Sequence, residues 1–282
     1  MSWEDVESWT APDGGRLALR RLDPVSTPRG AVIIVHGWGE HAGRYAHVAA
    51  WFAECGLAAW ALDQRGHGRS SGRRGDIARF AQFLADVVAL RKRVQAATPG
   101  PQLLLGHSNG GLIVLRYLQT APEALAGAIV TSPFLDVGFP VPRVKEAFAR
   151  FAVHLVPSLR IPTGLVLAHL STDPAVVEAA RTDPYCHQVM TPRAWHEIRA
   201  AQRDARAEAP RIDTALFMGL AAEDRIASTP ASTAFAAALT GNVTTRTYDG
   251  MYHEILNERE RDRVFADLGA WTDRILGARE AA

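Results

Sequence analysis

The sequence predicts an α/β protein built on a mostly parallel sheet, and three observations carry that expectation. Apolar runs of strand length alternate with helix-length amphipathic segments over the first 130 or so residues. The alternation stops for about 60 residues after Ser132-Pro133, then resumes towards the C-terminus. A strand that returns to the same sheet through a helix lies parallel to its predecessor, so this rhythm means βαβ units.

The elements follow in order. Residues 6–10 and 16–22, split by Asp13-Gly14-Gly15, form an antiparallel hairpin. Residues 31–35 read Ala-Val-Ile-Ile-Val, a continuous β-branched run that suits a strand buried on both faces. Residues 57–62, 102–105 and 124–131 repeat the pattern, with helices expected near 44–55, 77–97 and 109–120. Past the break, 215–220 and 243–248 are strands, and 229–239 and 255–276 are helices. The expected organisation is one domain over 1–133 and 196–282, carrying a helical insertion over 134–195.

The insertion has seven prolines and no buried-strand run. Asp173-Pro174, Asp183-Pro184 and Thr191-Pro192 each read as an N-cap followed by proline at the first helical position, so short helices are expected there. Val144, Phe148, Phe151 and Leu155 recur at i, i+4, i+7 and i+11, one apolar helix face ending near Pro157. That face either packs on the body of the domain or roofs a site beneath it.

Composition bounds the function. The chain has 282 residues, 48% of them hydrophobic, and 31 basic residues against 30 acidic ones. That excludes a disordered chain, a collagen-like repeat and a disulfide scaffold. It also argues against nucleic acid as a partner, because neutralising phosphates needs a basic excess. Lys92 and Lys145 are the only lysines, a skew that decides nothing about function. The N-terminus lacks a secretory h-region, and no run of about 18 apolar residues could span a bilayer. Cys55 and Cys186 are expected as free thiols. A cytoplasmic protein follows, with loose contact to a membrane surface left open. His36, His41 and His47 lack a metal-ligand pattern with carboxylates, and no Gly-x-Gly-x-x-Gly follows a strand. No metal and no cofactor are expected. The basic positions Arg199, Arg203 and Arg206 interleave with Asp204 and Glu208, as on a solvated helix face.

The chemical signal is Gly106-His107-Ser108-Asn109-Gly110, which ends a strand and opens a helix. In a nucleophile elbow the serine sits on a strained strand-to-helix turn, and the glycines on either side leave room for close backbone. Ser108 would be the nucleophile. Its base should follow a late strand, which selects His253. The orienting carboxylate should follow the strand before that, where Glu223 and Asp224 both stand; Asp224 is preferred. Two N–H donors must hold the oxyanion. They are expected from Asn109, just after the nucleophile, and from Trp38, in the loop after residues 31–35.

At this point the chain resembles the monoacylglycerol lipases, or lysophospholipase-like hydrolases, of the α/β-hydrolase fold. Four stretches carry the likeness: 36–45 (HGWGEHAGRY), 63–70 (DQRGHGRS), 106–111 (GHSNGG) and 252–258 (YHEILNE). The resemblance implies the triad Ser108, Asp224 and His253, with Trp38 and Asn109 as oxyanion donors. It implies that Glu40, Arg44 and His107 meet the alcohol end of the substrate, although Glu40 and Arg44 at i,i+4 also fit an ordinary surface ion pair. Asn109 departs from the methionine usual in the family, and Arg225 stands beside the acid where an uncharged residue is common. The 63–70 turn reads as structural. The implied function is hydrolysis of monoacylglycerol esters through an acyl-enzyme, beneath a cap that holds the acyl chain and touches a membrane surface transiently. A lysophospholipase, a small-ester carboxylesterase or an acyltransferase would use the same triad. A non-catalytic binding protein on this scaffold is the remote alternative.

Overall fold

The computed structural model describes residues 2–120, 125–141, 144 and 151–277. Ten strands and seven α-helices are named in chain order. The strands β1 (Glu7–Thr10), β2 (Arg16–Leu22), β3 (Ala31–Val35), β4 (Ala58–Leu62), β5 (Gln102–His107) and β6 (Gly127–Thr131) lie in the first part, with helices α1 (Ala46–Glu54), α2 (Ala81–Ala97) and α3 (Asn109–Thr120). The middle part holds β7 (Ile161–Pro162), α4 (Pro174–Thr182) and β8 (Val189–Met190). Then come α5 (Pro192–Ala207), β9 (Leu216–Ala221), α6 (Thr229–Ala237), β10 (Val243–Tyr248) and α7 (Arg261–Leu276).

Eight strands form one sheet in the order β1-β2-β4-β3-β5-β6-β9-β10. Pairing is parallel from β4 to β10; β1 with β2 and β2 with β4 are antiparallel. This is the α/β-hydrolase fold that the sequence predicts. The two-sided burial of β3 has a simple cause. Ile33 and Val35 join the core cluster under α2, α3 and α5, while Val32 and Ile34 join the cluster under α1 and α7. Leu104 and its neighbours Leu103 and Leu105 divide in the same way. Alternate residues point to opposite faces of a strand, so a sheet covered on both sides requires an unbroken apolar run.

The middle segment differs from expectation in four respects. Asp173 caps α4 and Thr191 caps α5, each accepting from a backbone N–H, but no helix follows Asp183. Asp183 instead accepts from Tyr185 N–H in a tight turn and from His41. A small antiparallel pair, β7 with β8, lies where only helices were expected. Helix α5 begins at Pro192, so the 195/196 boundary falls inside it. The apolar face is also placed differently. Val144, Phe151 and Leu155 are 79%, 65% and 66% exposed, so at these positions the face neither packs on the body nor lines a cavity. Phe148 lies outside the described residues. Residues 151–155 are helical and the chain turns at 157–158, as the pattern predicts. Towards the C-terminus, the single helix expected over 255–276 is a 3-10 turn (Ile255–Asn257) followed by α7. No disulfide joins the two cysteines; Cys55 is buried and Cys186 half-buried.

Candidate active site

Ser108 lies between β5 and α3 with φ of 54°, one of two non-glycine residues with positive φ among the described residues. Its backbone is held on three sides. Ser108 N–H donates to Thr131 O on β6, and Ser108 O accepts from Leu112 and Phe134 N–H. The glycines have an evident reason. A Cβ on Gly106 would come within 2.3 Å of Gly110 O, and one on Gly110 within 2.0 Å of Val35 O. The strained turn is thus enforced by sheet and helix backbone pressing on residues without side chains.

His253 follows β10 and Asp224 follows β9, so both stand at the carboxyl end of the parallel strands, where an open α/β sheet gathers its ligands. His253 Nδ1 lies 2.8 Å from Asp224 Oδ2, and both side chains are almost fully buried. Asp224 Oδ1 accepts from Ile226 and Ala227 N–H, which fixes the carboxylate plane. Burial disfavours charge on either partner, but each supports the other's ion. The histidine is held above its ordinary value and the aspartate below its own. Glu223, the alternative acid, is exposed. Arg225 does not compete for the carboxylate; its guanidinium stacks over Tyr252 at 5.0 Å.

The loop after β3 is braced by Glu40. Its Oε1 accepts from Gly37 N–H at 2.6 Å and from the Tyr45 hydroxyl at 2.8 Å, and its Oε2 accepts from Arg44. Arg44 reaches across to Glu254, the residue after His253, with two further bonds of 2.7 and 2.8 Å. The expected i,i+4 pair therefore exists, but it is buried and forms half of a clasp between the Trp38 loop and the His253 loop. Burial alone would raise the Glu40 carboxyl; Arg44 and the nearby imidazoles hold it down at about 2. Sequence reasoning missed Glu254 and Tyr45. Glu254 stood inside the quoted 252–258 stretch, but no spacing rule links it to residue 44, 210 positions away.

His107 packs 4.8 Å from the His253 ring and meets Thr131 Oγ1 through Nδ1. Burial, and then repulsion from His253, push it down to about 4. Asn109 is fully buried, and neither atom of its side-chain amide has a protein partner. The 63–70 turn is tied down by buried Asp63, whose carboxylate accepts from Ala42 and Arg69 N–H. His41, Asp183 and Cys186 bring three ligand-type atoms within 4.8 Å of one another. His41 commits Nε2 to Asp183 and Nδ1 to Gly43 N–H, and burial pushes the Cys186 thiol up to about 12.

Trp38, Ser108, His107, His253, Glu40 and Arg44 all open onto one cavity of about 910 Å³. Much of the rest of its lining is apolar and comes from Phe134 to Val141 and from Ile161 to Leu170, and the wall is completed by residues between Ala180 and Trp195 with Ile226 and Glu254. The middle segment is anchored to the loop it covers, since His187 N–H donates to Gly39 O and Trp38 Nε1 donates to Val189 O.

A strained serine on a strand-to-helix turn, lining the same cavity as a histidine–aspartate pair, marks a serine hydrolase of the α/β-hydrolase class. The family model described as serine aminopeptidase, S33 matches residues 26–260, and the chain belongs to that family. It is 33% identical to a monoacylglycerol lipase of Mycolicibacterium smegmatis, over 96% of this chain and 97% of that protein. An uncharacterised abhydrolase domain-containing protein of Dictyostelium discoideum is 34% identical over 97% of this chain, which spans only 30% of that longer protein. The crystal structure of a Paleococcus ferrophilus monoacylglycerol lipase superposes with a TM-score of 0.85 at 27% identity, covering 92% of this chain and 99% of that one.

Proposed function

We propose that the protein hydrolyses the carboxylic ester of monoacylglycerols through an acyl-enzyme. Ser108 Oγ attacks the ester carbonyl carbon as its proton passes to His253 Nε2, and Asp224 stabilises the resulting imidazolium. The carbonyl oxygen becomes an oxyanion held by the N–H groups of Trp38 and Asn109. The intermediate collapses by breaking the carbon–oxygen bond to the alcohol, which leaves with the proton from His253. Water then attacks the acyl-serine, giving its proton to His253. A second collapse frees the fatty acid and returns that proton to Ser108.

The observation that carries this reading is the cavity itself. Ser108 and His253 line a cavity of about 910 Å³ whose walls are mostly apolar, and Glu40, Arg44 and Glu254 form one bonded polar group in that lining. Such a cavity suits one long acyl chain joined to a small polar alcohol, at about 0.8 kcal/mol per buried CH₂. The segment over 134–191 acts as the cap. Its exposed apolar residues Phe139, Val144, Phe151, Leu155, Val156, Leu159 and Val166 support the proposed contact with a membrane surface. No helix among the described residues is long and apolar enough to cross a membrane.

The test is a hydrolysis profile across monoacylglycerols of increasing chain length, with di- and triacylglycerols as comparators and Ser108→Ala as the control. Monoesters should be preferred, with kcat/KM rising with chain length until the cavity is full. A profile that favoured triacylglycerols, or a Ser108→Ala protein of near wild-type rate, would overturn the proposal.

A further inference from the structure

The polar end of the cavity carries an imbalance of charge. Its described lining includes three carboxylates, Glu40, Asp183 and Glu254, and one buried guanidinium, Arg44. Arg44 Nη1 donates to both Glu40 and Glu254, and Nη2 donates to Glu254. Its positive charge is therefore answered twice over. Asp183 lines the same cavity and pairs with His41, whose Nε2 meets it at 2.8 Å. The other arginine of the lining, Arg181, is 60% exposed and pairs with exposed Glu178 at 3.1 Å. Glu40 is also close to the reacting centre. A Cβ on Gly37 would lie 2.8 Å from Glu40 Oε1 and 3.2 Å from the Ser108 Cβ, so the carboxylate is a near neighbour of the nucleophile. Glu254 is adjacent in the chain to His253.

From this we infer that the alcohol end of the cavity is an anion-excluding subsite, which takes an uncharged leaving alcohol and turns away a phosphorylated one. The inference rests on the proposed ester hydrolysis and sharpens it, because it separates monoacylglycerols from lysophosphatidates of the same chain length. Like charges a few ångströms apart, away from bulk water, repel strongly enough to matter. A site that binds phosphate normally directs a guanidinium or ammonium at it, and here the buried guanidinium is held between carboxylates. An uncharged hydroxyl can still donate to Glu40, Glu254 or Asp183, each of which has acceptor capacity in an ionised carboxylate.

The experiment uses three decanoyl esters below micelle-forming concentration: 1-decanoylglycerol, its 3-phosphate, and the dimethyl phosphotriester of that phosphate. The triester keeps the bulk of the phosphate and removes its charge. On wild-type protein the phosphate should show kcat/KM at least about 100-fold below the glycerol ester, and the triester should recover most of that loss. Glu254→Gln removes one negative charge with little change of shape and should narrow the phosphate-to-triester ratio by about fivefold or more. Equal rates for phosphate and triester would overturn the inference, whether or not the variant folds. Rapid cleavage of 1-decanoylglycerol together with equally rapid cleavage of the phosphate would sink this inference while leaving ester hydrolysis intact. No cleavage of any ester would sink the functional reading on which it rests.

Discussion

Replacing Asp224 by asparagine isolates the part of the site that depends on charge. Asparagine preserves the shape, and its carbonyl oxygen can still accept from Ile226 and Ala227 N–H as Asp224 Oδ1 does now. Its amide then turns N–H towards His253 Nδ1, where a carboxylate oxygen stands at 2.8 Å. Two consequences follow. The imidazole is driven to the tautomer with its proton on the serine side, which cannot act as a base. The imidazolium formed in the transition state also loses its counter-charge. With an effective dielectric constant of about 20, a unit pair at that separation is worth about 6 kcal/mol, or roughly 10⁴ in rate. The assay is kcat/KM on a soluble p-nitrophenyl ester, with circular dichroism as a check on folding and Glu223→Gln as the parallel control. Asp224→Asn should lose on the order of 10⁴, and exposed Glu223→Gln less than about threefold. A loss below tenfold for Asp224→Asn, or a larger loss for Glu223→Gln, would refute the assignment.

Three further outcomes can be checked. His253 must be neutral to act as a base, and its pairing with Asp224 raises it above its ordinary value of 6.5. The acid limb of kcat/KM should therefore have its midpoint above 6.5, with activity lost as pH falls through it, and a midpoint at or below 6.5 would count against the pair. Asn109→Leu replaces two unpartnered buried polar atoms by methyl groups of the same branching. It should raise stability by about 1 kcal/mol or more and keep kcat within about fivefold, since the oxyanion donor is a backbone N–H; a lower melting temperature would show that the amide is needed. Phe151→Asp with Leu155→Asp removes two exposed apolar side chains. It should weaken co-sedimentation with phosphatidylcholine vesicles by about tenfold while leaving p-nitrophenyl ester hydrolysis within about twofold, and unchanged vesicle binding would rule out contact through this face.

The core of the molecule could be read from sequence because its signals are local. Residues 31–35 are apolar at every position since both faces of β3 are covered, and Gly106 and Gly110 bracket Ser108 because backbone would otherwise collide with a Cβ. Strand, turn and helix propensities act over a few residues, so β2, β3, β10 and α3 have the bounds the pattern predicts. Preference for Asp224 over Glu223 rests on the Asp-x-Ile order usual at this loop in the fold, and which carboxylate meets His253 depends on how the loops after β9 and β10 approach one another. The clasp of Glu40, Arg44, Tyr45 and Glu254 is wholly tertiary: its ends are 214 positions apart in the chain, and the bonds exist only because β3 and β10 deliver their loops to the same end of one sheet. The insertion was least legible. A period of 3.6 marks Val144, Phe151 and Leu155 as one face of a helix, but periodicity gives a direction relative to the helix axis only. Whether that face meets protein or solvent depends on where the segment lies against the rest of the fold, and Val144, Phe151 and Leu155 all stand exposed.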